Sequence, residues 1–146
     1  MANSLLHFHN KSLWMDDSSL RIIIYYLAPM IKKALDNDKM TEKNKKWLDS
    51  YYHDRLIFDL EWMMTGGINL KLEEVFEDPY RINLFVSSLN EVKKILYSVG
   101  SELSTNELDK VDSWVVGESI SNENPKSTHD LIANIDLILG MLPTIK

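Results

Sequence analysis

Apolar residues recur at threes and fours through most of this chain, the spacing that gathers them on one face of an α-helix. The clearest case follows Asp78-Pro79, where Ile82, Phe85, Leu89, Val92, Leu96 and Val99 form the stripe and Gly100 ends it. Pro79 suits a first helical position because the N–H it lacks would be unpaired there anyway. Ser104 and Glu107 form a capping box ahead of Leu108, Val111, Trp114 and Val115, with Gly117 placed to close a short helix. Ser127 with Asp130 predicts another start, followed by Leu131, Ile132, Ile135, Ile138, Leu139 and Leu142 until Pro143 forbids continuation.

Thr41 predicts the cap of the longest helix, which runs to about Met64 and is closed by Thr65, Gly66 and Gly67. Its apolar residues form two rows, Trp47, Tyr51, Phe58 and Trp62 on one side and Leu48, Tyr52, Leu56, Leu60 and Met63 on the other. Two rows imply a helix sandwiched between neighbours or lying partly in an interface. From Ser18 to Leu35, the residues Ile22 to Tyr26 are individually good strand formers. The length, a capping serine and the register of Leu27, Met30, Ile31, Ala34 and Leu35 predict instead one helix bent at Pro29. Leu5 to Met15 is assigned a further helix, Leu72 to Phe76 a single turn, and Glu118 to Lys126 an exposed loop. The expected fold class is all-α, a single-domain bundle of five or six helices over residues 1–146.

With 146 residues, 45% of them hydrophobic and 26% charged, the chain can build a core without a metal or disulfide staple. The absence of cysteine removes thiolate zinc sites, cysteine nucleophiles and redox motifs. No apolar run approaches the roughly 20 residues needed to span a bilayer, so a soluble, cytoplasmic protein is expected.

The net charge of −6 hides a split, because residues 1–46 hold 8 basic and 5 acidic side chains while residues 47–146 hold 8 and 17. The acids concentrate between Asp49 and Asp78 and again between Glu102 and Asp136. Phosphate backbones require clustered Lys and Arg, and the only concentrated bases, Lys32, Lys33, Lys39, Lys43, Lys45 and Lys46, are diluted by Asp36, Asp38 and Glu42. Neither nucleic acid nor a membrane surface is an expected partner. An acidic face suits a basic protein, whose approach complementary charge would accelerate.

Catalytic constellations are sparse. His7 and His9 diverge on a helix and share a face only on a strand, and Asp49 with His53 makes an intrahelical pair. Glu73, Glu74, Glu77 and Asp78 form the densest acid cluster, whose place before Pro79 suits the macrodipole of the following helix better than a hard cation. Gly66-Gly67 belongs to no phosphate-loop pattern, and no GxSxG elbow occurs. No catalytic residue, metal site or cofactor is expected.

His53-Asp54 and His129-Asp130 each resemble the metal-binding doublet of HD-type phosphohydrolases, a likeness that implies a helical metal-dependent phosphohydrolase. That family also requires an upstream histidine and a downstream aspartate on separate helices. In size, acid bias and aromatic–acid interleaving, the chain is similar to bacterial immunity proteins and antitoxins that neutralise nuclease toxins. The resulting expectation is a non-enzymatic, acidic protein-binding module that occludes the site of a basic partner such as a toxin. Its candidate binding residues are Asp49, Tyr51, Tyr52, Asp54, Asp59 and Glu61 on the long helix, with Glu107, Asp109, Asp112, Trp114 and Glu118 further on. A structural homodimer built on the two-faced helix is the remaining alternative.

Overall fold

Alternation rather than helical spacing governs the first residues. In the computed structural model, which describes residues 3–36, 39–61, 67–113 and 126–142, β1 (Asn3–Phe8) pairs antiparallel with β2 (Lys11–Asp16). Ser4, Leu6 and Phe8 point inward on β1, and Met15 opposite Ser4 joins them. The helix expected over Leu5 to Met15 is therefore corrected to a hairpin. His9 and Asn10 form its two-residue loop, and His9 takes the left-handed conformation (φ 53°) that such loops require and that glycine usually supplies.

The next segment is the helix α1 (Asp17–Leu35), which runs through Pro29. Its cap is Asp16, whose carboxylate accepts from the Ser19 N–H at 3.0 Å, in place of the serine expected at that role. Ile22, Ile23 and Ile24 are all fully buried, so this part of α1 is enclosed on every side and needs no amphipathic stripe. Thr41 caps α2 (Glu42–Ser50), which continues without a break into a π-helical segment (Tyr51–Ile57) and then α3 (Phe58–Glu61). Of its two apolar rows, Leu48, Tyr51, Tyr52, Leu56 and Leu60 are buried, Trp47 is half-buried and Phe58 is exposed. The expected members Trp62, Met63 and Met64 and the closing Thr65-Gly66 lie outside the described residues.

After the single turn α4 (Leu72–Val75), Asp78 caps α5 (Pro79–Val99) by accepting from the Tyr80 N–H at 2.8 Å. Gly100 ends α5 at φ 114°, a conformation that a side chain would strain. The two-residue strand β3 (Glu102–Leu103) pairs with β4 (Lys126–Ser127), so Lys126, expected in an exposed loop, lies in a strand and is half-buried. Between them Ser104 caps α6 (Thr105–Asp112), which ends before the Gly117 stop assigned from the sequence. Ser127 caps α7 (Thr128–Met141). The chain is mostly helical, with six helical units among the described residues, and the all-α expectation is corrected by the two small sheets.

One cluster of buried side chains draws on every major element, with α1 at its centre against β2, the π segment, α5, α6 and α7. Polar groups inside it are tied in. The Ser4 hydroxyl donates to Asp17 Oδ1 and accepts from the Ile68 N–H at 3.1 Å. Buried Arg81 donates to Asn44 Oδ1 (2.9 Å) and to the Glu74 carbonyl (3.0 Å), and its guanidinium lies 4.2 Å from the Trp47 ring centroid.

Asp59 is less fully tied in. It is 2% exposed, and its Oδ2 has no hydrogen-bond partner among the described residues. Burial pushes its carboxyl up to about 6 against the pull of Arg55 and of the Asn69 N–H, and Asp17 pushes it further. Because the folded group titrates above its unfolded value, folding is helped at low pH and that help is lost as pH rises through about 6. Asp59→Asn should therefore raise stability by about 2 kcal/mol at pH 7.5 and leave it unchanged near pH 4. Urea unfolding at the two pH values measures this, and a variant destabilised at both would show that the ionised carboxylate is held favourably.

Candidate protein-binding face

The acids of the long helix divide by the side of the helix they occupy. Asp49 and Asp54 are exposed, Asp49 beside His53 (3.6 Å) and Asp54 accepting from the Ser50 hydroxyl at 2.9 Å. Glu61 is half-buried. Asp59 is interior, which removes it from any contact surface. Tyr51 is interior too, stacked on Trp47 at 4.7 Å and donating to the Leu70 carbonyl at 2.7 Å, and burial with nearby Asp59 and Glu74 holds its hydroxyl well above the usual tyrosine range. Tyr51, a candidate binding residue in the sequence, is thus placed inside the molecule.

Two of the three acids of α6 are held by contacts to α1. Asp112, with its side chain 13% exposed, meets the fully buried Arg21 guanidinium at 3.8 Å. Glu107 accepts from the Tyr26 hydroxyl at 3.3 Å and also pairs with Lys110 at 3.2 Å. The partners progress from Arg21 to Tyr26 on α1 and backwards from Asp112 to Glu107 on α6, so the helices lie antiparallel over about 7.5 Å of rise. Asp109 is exposed on the outer side of α6. Trp114 and Glu118 lie outside the described residues.

Beside Tyr26 opens an apolar cleft of about 360 Å³, walled by Tyr25, Tyr26, Pro29 and Met30 of α1, by Tyr52 and Ile57 of the π segment, by Leu60 and by Ile95 of α5. Helical irregularities flank it on both sides. Pro29 has no N–H to offer the Tyr25 carbonyl, and the π segment widens the opposing helix. Among the described residues none that lines the cleft is charged. Burial, with the neighbouring Glu107 carboxylate, pushes the Tyr26 hydroxyl up to about 12, so it remains a donor to that carboxylate at neutral pH. Tyr52 is 7% exposed and lies in the cleft wall, whereas Tyr25 and Tyr26 were not among the candidate binding residues. Only the three-dimensional meeting of α1 with the π segment reveals them.

A second, polar cleft of about 380 Å³ lies between the hairpin loop and α4, lined by His7, His9, Asn69, Lys71, Glu73 and Glu74. Glu73 accepts from the His9 N–H at 2.8 Å, while Glu74 accepts from Trp47 Nε1 at 3.2 Å. Glu77 faces Arg81 at 3.6 Å, and Asp78 caps α5, so each member of the acid cluster has its own protein partner. The His-Asp doublets are separated in use as well. His53 faces Asp49, and His129 and Asp130 are exposed in the first turn of α7. Among the described residues no three histidine or carboxylate side chains are grouped to hold a metal ion, and no helix is long and apolar enough to cross a membrane.

Asp112 and Asp109 therefore differ in kind although they share a helix. Asp112→Ala should cost about 2 kcal/mol, because it takes a carboxylate from a buried guanidinium, while Asp109→Ala stays within about 0.5 kcal/mol. Urea titration of the two variants checks this, and equal stabilities would mean that Arg21 does not depend on Asp112. No protein-family model, curated protein or solved structure matches this chain.

Proposed function

We propose that the protein is a non-enzymatic, acidic protein-binding module that occludes a site on a basic partner, in its most specific form an inhibitor of the immunity or antitoxin type. The observation that carries this reading is the placement of the Glu107 carboxylate on the Tyr26 hydroxyl, at an uncharged cleft walled by three tyrosines. Tyrosine gives large contact area at low conformational cost, and carboxylates beside it steer and orient a cationic surface. The Lys110 contact at Glu107 is an exposed pair one helical turn away, weak enough to exchange for a partner's cation. Asp109 adds negative charge on the same helix.

The test is retention of a partner from the lysate of cells that express the protein, at low ionic strength. A basic protein should be retained by the wild type, released as salt rises, and lost when Glu107 and Asp109 are both changed to lysine. Retention that is indifferent to both the charge reversal and salt would contradict the proposal. Circular dichroism of the double variant separates a lost contact from a lost fold.

A further inference from the structure

The tyrosine-walled cleft carries chemistry more specific than an apolar contact. Tyr25 and Tyr26 meet edge to face, their ring centroids 5.1 Å apart at 78°, and Tyr52 stands in the wall across from them. The hydroxyls of Tyr25 and Tyr52 make no hydrogen bond to protein among the described residues, and neither is a buried unpartnered atom, which leaves both open to an incoming donor. Aromatic faces attract a cation, two unpartnered phenolic oxygens can accept from it, and the Glu107 carboxylate on Tyr26 supplies the opposite charge. A guanidinium matches this set: it is planar, presents five N–H donors, stacks on aromatic rings and is more weakly hydrated than an ammonium. The same chain already satisfies one guanidinium in this way, with Arg81 over the Trp47 ring and bonded to oxygens around it.

We propose that the cleft receives an arginine side chain of a basic partner protein, its guanidinium against the tyrosine rings and its charge directed to Glu107. This inference rests on the protein-binding reading above, and it specifies the residue that anchors the partner. Glu107 supplies the counter-charge, and no cationic residue stands in the cleft wall among the described residues.

The test uses N-acetyl-arginine methylamide as the probe, with N-acetyl-citrulline methylamide as its neutral isostere, titrated separately into the intact protein and followed by NMR. The arginine compound should shift the ring resonances of Tyr25, Tyr26 and Tyr52 and bind at least about fivefold more tightly than the citrulline compound. Tyr25→Ala and, as a surface change that spares the core, Glu107→Gln should each weaken the arginine compound by about threefold. Equal affinity for the two compounds, or shifts confined to other acids such as Asp49 and Asp54, would overturn the proposal. Tighter binding of tetramethylammonium than of the arginine compound would overturn it too, in favour of a small quaternary ammonium ligand. Any of these failures leaves capture of a basic partner, and its loss on charge reversal, free to succeed.

Discussion

A guanidinium with no exposed surface, Arg21, lies in the most enclosed part of the central helix, and the position of α6 depends on it. Removing a cation from water costs several kcal/mol unless carboxylates and hydrogen-bond acceptors stand close by. Asp112 brings a carboxylate to within 3.8 Å from the last turn of α6. The helix is thereby drawn antiparallel along α1, and Glu107 at its other end comes to rest on Tyr26. A charge in the interior thus stands at one end of α6 and the Glu107 carboxylate at the other.

The cleft beside Glu107 exists because two helices depart from regular geometry where they face one another. Pro29 leaves a carbonyl of α1 without its usual donor, and the π segment sets Tyr52 and Ile57 in the opposite wall. The long element keeps its other side occupied by the Trp47–Tyr51 stack and Arg81. That division gives the long element a purely structural side and a side that contributes to the cleft.

Local signals were legible and non-local ones were not. The caps at Thr41, Asp78, Ser104 and Ser127 all occupy the places their hydrogen-bonding chemistry implies, because a cap is decided by residues three apart. The hairpin escaped because its loop, His9-Asn10, lacks the glycine that usually marks such turns, and because Leu5, Leu6, Leu13 and Trp14 fit helical spacing as readily as alternation. Asp59 and Tyr51 looked available for binding because carboxylates and tyrosines usually keep a polar end in water. Their burial follows from neighbours distant in sequence, Asn69 and Leu70 among them. Tyr25 and Tyr26 were read as part of a helix interior, and their partners in the cleft, Tyr52 and Ile95, come from two other helices.

The clamp at Arg21 is open to direct measurement by amide hydrogen exchange in Arg21→Met, a change that keeps the side chain's length and apolar stem while deleting the charge. The expected result is a loss of at least about tenfold in protection at Leu108 to Asp112, with the amides of α5 from Phe85 to Leu96 unaltered. Protection of α6 equal to that of the wild type would contradict the dependence of this face on the buried guanidinium.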